Sequence, residues 1–87
     1  MFFPNYPEVP LKYGDRGSDV EVMQAALNVV FAKYPVYENL AEDGVFGNET
    51  DNAVRRIQQH VGLAEDGVVG RYTWISIFAL ANIHDET

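Results

Sequence analysis

An eleven-residue phrase occurs twice in this chain, as LAEDGVFGNET at residues 40–50 and LAEDGVVGRYT at residues 63–73. The copies stand at a constant offset of twenty-three positions, pairing Leu40 with Leu63, Asp43 with Asp66, Gly44 with Gly67, Gly47 with Gly70 and Thr50 with Thr73. Each contains Asp-Gly, a tight-turn dipeptide in which Asp bonds its own backbone and Gly accepts positive φ without a Cβ clash. After the turn, Val45 and Phe46, or Val68 and Val69, enter a core before a second glycine opens a helix with the threonine in its first turn. The phrase delivers a helix at a set angle.

Helical patterning surrounds both copies. Before the first, Val20, Met23, Leu27, Val30, Phe31 and Tyr34 recur at spacings of three and four, and Pro35 stops continuation, so helix one is expected over residues 18–33. Ser18 and Glu21 have the spacing of a capping box, and Asp19 adds negative charge to the first turn. Thr50, Ala53, Val54, Ile57 and Val61 share a face of helix two, which Gly62 should end in a left-handed conformation with Leu63 folding back. Thr73, Trp74, Ile77, Phe78 and Ala81 form the stripe of helix three. Neither unit can bury its apolar face alone. The expected fold is all-α, a compact three-helix domain in which two repeated turn-plus-helix units pack against helix one. Two units are too few for a solenoid.

A chain of 87 residues forms one domain, placed at residues 11–81 between an N-terminal arm, 1–10, and a polar tail, 82–87. Pro4, Pro7 and Pro10 keep the arm from being helical, and the apolar area of Phe2, Phe3 and Tyr6 favours packing of some of them onto the domain. The absence of cysteine removes disulfides and thiolate chemistry, so the buried core alone must hold the fold. A net charge of −7, with six Lys and Arg dispersed along the chain, argues against nucleic-acid and membrane partners. The opening MFFPNYPEVP shows no export signal, so action outside the cytoplasm implies delivery by a fusion partner, lysis or a virion.

Catalytic constellations are missing. The two serines, Ser18 and Ser76, read as helix cap and helix surface; His60 suits a helix end and His84 lies in the tail; no H-E-x-x-H occurs. No enzyme activity, catalytic metal or cofactor is expected. The spacing disfavours a calcium loop, since Val45 stands where an EF-hand needs an oxygen ligand, and calcium-dependent scaffolding stays only as a distant alternative.

Taken in order, G-x-x-G-x-x-V before helix one, D-G-x-F-G-x-x-T-x-x-A-V before helix two and D-G-x-x-G-x-x-T-W before helix three resemble the peptidoglycan-binding domain of the type-one family, from about Leu11 to Phe78. The resemblance implies a three-helix module that binds bacterial cell wall beside a hydrolase or transpeptidase, as in phage endolysins, amidases and carboxypeptidases. The implied partner is peptidoglycan, stem peptide and glycan, together with a catalytic or virion protein, and the implied place of action is the bacterial wall. Two alternatives stay open: a structural or protein-interaction domain, for example of a phage virion, and the targeting part of a hydrolase whose catalytic domain is absent.

For such a ligand, the free amides at the starts of helices two and three, near Gly47 and Gly70, suit a carboxylate, and both starts are expected to face one shared cleft. Arg16 and Arg71 add candidate carboxylate contacts, and Asn48 can read a peptide amide. Each arginine reads equally as a solvated charge. Phe46 and Trp74 read first as core positions and second as an aromatic platform, whereas Tyr72 projects differently and is a candidate wall. Asp43 and Asp66 read first as turn formers, and Arg55 and Arg56 as helix-surface charges in weak ion pairs.

Overall fold

The structure is a computed structural model that describes residues 4–33 and 39–82. Phe2, Phe3, Tyr34, Pro35 and His84, on which some expectations fall, lie outside the described residues. Three helices follow in order, α1 (Ser18–Ala32), α2 (Asn48–Val61) and α3 (Arg71–Ala81), and α1 packs chiefly on α3. The apolar stripes meet in one core: Val20, Met23, Leu27, Val30 and Phe31 from α1, Ala53, Val54 and Ile57 from α2, and Trp74, Ile77 and Phe78 from α3. Leu11, Leu40, Phe46 and Val69 close it from the loops. Each fully buried large side chain contributes about 1.5–3 kcal/mol relative to exposure. Val61 departs from its expected stripe and is exposed, because α2 ends there.

All three helices start from a glycine N-cap, Gly17, Gly47 and Gly70, with no side-chain capping bond. The Ser18–Glu21 capping box is therefore not formed; Ser18 is already the first helical residue. The cause is tertiary. The amide of Gly17 donates to the carbonyl of Gly44 at 2.9 Å with Gly17 at φ 137°, a conformation that serine adopts only with strain, so glycine holds the cap position.

The helix ends follow other rules. Gly62 sits at φ 82°, and the amides of Gly62 and Leu63 return to the carbonyls of Gln59 and Gln58 at 3.3 and 2.8 Å, the double bond of a Schellman turn. At the end of α3, Lys33 of α1 sends its ammonium to the carbonyls of Leu80 and Ala81 at 3.1 and 3.4 Å, a cation at the negative pole of the helix.

The segment before α1 stitches the two repeats together. Leu11 pairs with Val69 in the second copy through bonds of 3.1 and 2.8 Å, while the Gly14 amide donates to Phe46 and the Phe46 amide to Asp15, each at 2.9 Å, in the first copy. Only Lys12 and Tyr13 lie between Leu11 and Gly14, a reach of at most about 11 Å. The loops that lead into α2 and α3 are thus tied to one short segment.

Candidate functional site

Each repeated turn is held by a glutamine from the preceding helix. Gln24 of α1, 1% exposed, donates through Nε2 to Asp43 Oδ1 (3.3 Å), the Val45 carbonyl (2.9 Å) and Thr50 Oγ1 (3.0 Å), and its Oε1 accepts the Gly44 amide at 2.8 Å. Gln58 of α2, also 1% exposed, does the same with Asp66 Oδ1 (3.0 Å), the Val68 carbonyl (3.0 Å), Thr73 Oγ1 (3.2 Å) and the Gly67 amide (3.0 Å). A buried carboxamide has two donors and a two-lone-pair acceptor, and these partners satisfy both ends. The tight turn, the valine after it and the first-turn threonine are thereby fixed by one side chain. Val45 and Val68, expected in the core, are only half-buried, and Phe46 and Val69 enter it instead.

The aspartates of the turns stay ionised. Asp43 Oδ1 accepts the Val45 amide at 3.0 Å, and this bond, then Gln24 and the nearby Arg16 charge, hold its pKa below the ordinary aspartate value against the opposing effect of desolvation. Asp66 is lowered in the same way by the Val68 amide, Gln58 and Arg55. Arg55 does more than decorate a helix surface. It pairs with Asp51 at 3.1 Å and also donates to the carbonyls of Glu65 and Asp66 at 2.6 and 3.2 Å, clamping the second turn onto α2.

At the start of α2 the first turn bounds a concavity of about 240 Å³, lined by Gln24, Ala41, Asp43 and Val45 on one side and Gly47, Asn48, Glu49 and Thr50 on the other. Two carboxylates, Asp43 and Glu49, and two carboxamides, Gln24 and Asn48, border it. With Gly47 supplying no side chain, the leading amides of α2 lack a side-chain acceptor. Among the expected site residues, Gly47 and Asn48 are brought together here.

The others are placed differently. Phe46 is 1% exposed in the core, so its ring provides no platform; its backbone pairs with the segment before α1. Arg16 is exposed, and its backbone bridges Val45. Gly70, Arg71 and Tyr72 do not line the concavity, so the residues of the two helix starts are not joined in it. Arg71 instead turns to the N-terminal arm, with Glu8 at 2.6 Å and the Tyr6 ring centroid at 5.1 Å. Tyr72 is 73% exposed, the most open of the large apolar side chains among the described residues. Tyr6 and the Pro4 carbonyl pack on Trp74, as the apolar area of the arm favoured.

Gln24 and Gln58 were not singled out by sequence reasoning. The available signal was a pair of matching helical phrases, Val20-x-x-Met23-Gln24 and Val54-x-x-Ile57-Gln58, each placing a polar residue beside an apolar stripe. Among the described residues no group of three or more His, Cys, Asp and Glu is arranged to hold a metal ion. No helix among them is long and apolar enough to cross a membrane.

Comparison with known proteins agrees with this geometry. The N-acetylmuramoyl-L-alanine amidase CwlL of Bacillus licheniformis is 36% identical over 70 residues, which are 80% of this chain and 19% of the amidase, so the chain spans about a fifth of that relative. The SleB N-terminal domain superposes with a TM-score of 0.74 at 30% identity, covering 88% of this chain and 99% of that one. A peptidoglycan-binding protein from Clostridioides difficile, solved with glutamine hydroxamate, gives a TM-score of 0.70 at 30% identity over 85% of this chain and 43% of that one. The Burkholderia AP3 phage endolysin gives 0.66 at 34% identity over 80% and 25%. The profile of the peptidoglycan binding domain family matches residues 16–77, from the loop ahead of α1 to the core of α3. With both repeated turns inside that match and three solved relatives sharing the three-helix fold, the chain belongs to the peptidoglycan binding domain family.

Proposed function

We propose that this domain holds bacterial peptidoglycan without cleaving it, and that the stem peptide is gripped in the concavity at the start of α2. The observation that carries this reading is the chemistry of that wall: Asp43 and Glu49 suit an ammonium group, Asn48 a peptide amide, and the uncapped amides of α2 a carboxylate. A zwitterionic residue of a stem peptide offers all three. The lowered pKa of Asp43 keeps that carboxylate charged. Tyr72 stands apart as an exposed aromatic surface for a sugar face. Single-site affinity is expected to be modest, since the concavity is small and open, and repeated sites along a polymer raise the effective concentration.

The amidase and endolysin relatives support a targeting role, in which this domain holds a wall hydrolase or a phage component at its polymer. Cosedimentation with purified sacculi tests binding, and turbidity of the same suspension tests cleavage. Wild type should pellet with sacculi and leave turbidity unchanged. Asn48→Ala combined with Glu49→Gln should weaken pelleting about five- to thirty-fold, the loss of one or two charge-assisted hydrogen bonds of about 1–2 kcal/mol in total. Equal pelleting of that variant would remove the concavity from the binding site. Absence of pelleting by wild type would favour a structural role for the domain.

A further inference from the structure

The N-terminal arm forms a strap over the start of α3. The Pro4 carbonyl accepts the Trp74 indole N–H at 3.0 Å, and the Tyr6 ring meets Trp74 edge-on with centroids 6.1 Å apart. Arg71 is then held from two sides, its Cζ 5.1 Å from the Tyr6 ring centroid and its Nη2 2.6 Å from Glu8 Oε1. Glu8 adopts φ 68°, and among the described residues it is the only non-glycine with positive φ. L side chains avoid that region, so the strap reaches Arg71 through a locally disfavoured backbone. The pair is also wet, with 52% of the Arg71 side chain and 66% of the Glu8 side chain exposed. Water and competing carboxylates therefore reach it. By the offset of the repeat, Arg71 occupies in the second copy the position that Asn48 occupies beside the concavity in the first.

We infer that Glu8 is an internal stand-in for a ligand carboxylate: the strap occupies Arg71 in the free domain, and a carboxylate-bearing stem peptide takes Arg71 by displacing Glu8 and loosening the strap from Trp74. The inference rests on the wall-binding reading above and adds to it a gate on one contact. The acid on the strap and the acid of the ligand compete for one guanidinium, which pairs well with a single carboxylate. An exposed ion pair of ordinary strength lowers apparent affinity about two- to five-fold by this competition.

The test uses the whole 87-residue chain and two probes, N-acetyl-D-alanyl-D-alanine and its C-terminal amide. Trp74 is the single tryptophan and is 1% exposed, so its fluorescence and its indole N–H resonance report the strap directly. The carboxylate probe should shift both signals of wild type and the amide probe neither. Glu8→Gln, checked for an unchanged circular dichroism spectrum, should bind the carboxylate probe about two- to five-fold tighter and the amide probe no better. Adding Arg71→Gln should remove that gain. Unchanged affinity in Glu8→Gln, equal tightening for the amide probe, or binding that leaves the Trp74 signals still would each overturn the gate. Sacculus pelleting by wild type alongside such a result would leave the wall-binding reading standing, whereas failure to pellet removes both.

Discussion

Replacing Gln58 by leucine isolates the interaction on which the second repeat depends. Leucine nearly conserves the volume of this 1%-exposed residue, so packing changes little and the hydrogen bonds are what is lost. The Gly67 amide, the Val68 carbonyl and the Thr73 hydroxyl lose a partner together, while the exposed Asp66 regains water. An unsatisfied buried group costs about 1–3 kcal/mol, but these three share one side chain and one loop, so their penalties do not add in full and the net is about 3 kcal/mol. A domain of this length has about 4–13 kcal/mol of stability in total. At about 4–8 °C per kcal/mol, the melting temperature should fall by about 12–24 °C. Urea unfolding followed by circular dichroism measures the free energy directly. Gln24→Leu should cost a similar amount because its four bonds run to the matching atoms of the first repeat. Gln58→Glu is a sharper probe: a carboxylate can still accept the Gly67 amide but has no proton for the Val68 carbonyl and repels Asp66, so at neutral pH it should recover little. A loss below about 1 kcal/mol in both leucine variants would refute the idea that buried carboxamides hold the turns.

The turn aspartates give a pH prediction. Their folded pKa values lie below the ordinary one, so their stabilisation is present in full above about pH 3.9, the unfolded value, and is lost as pH falls through the folded values. Thermal melts from pH 6 to pH 2 should therefore decline less steeply below about pH 3.9 for a combined Asp43→Asn and Asp66→Asn variant, which keeps an Oδ1 acceptor without titrating; parallel profiles would exclude these residues. Gly67, at φ 73°, would place a new Cβ against the Asp51 carboxylate and the Arg55 guanidinium, whereas Gly14, at φ 97°, has open space around it. Gly67→Ala should cost about 2 kcal/mol or more and Gly14→Ala about 1 kcal/mol, the backbone strain alone, by urea titration; equal losses would show that the Arg55 clamp yields freely.

The repeated phrase made the two turns legible because their requirements are local. Asp43 and Asp66 bond an amide two residues on, and Gly44 and Gly67 take positive φ, at φ 75° and 73°. The locking glutamines were hidden by arithmetic. The phrase repeats at twenty-three positions, but Gln24 and Gln58 are thirty-four apart, because Gln24 stands nineteen residues before Asp43 and Gln58 only eight before Asp66. Of the eleven residues of difference, five lie in the longer run of α1 beyond Gln24 and six in the longer connection from α1 to the first turn, which no local pattern counts. At the next repeat position after Gln58, α3 carries Ala81 instead of glutamine.

The capping box failed for a related reason. Ser18 and Glu21 satisfy a local rule, but the bond from Gly17 to Gly44 joins residues distant in sequence and moves the cap one place earlier. The candidate site divides along the same line. Gly47 and Asn48 border a concavity at the head of the second helix, where the sequence expectation is one cleft shared by both helix starts, while the amphipathic periods already settled that three helices would share one core. Which side chains remain available is a matter of who their neighbours are. Phe46 is used up by the core, and Arg71 is drawn aside by Glu8, sixty-three residues away along the chain. Periodicity and turn chemistry act over a few residues and can be read from order alone; burial and charge pairing act through space, and only the folded chain sets those distances.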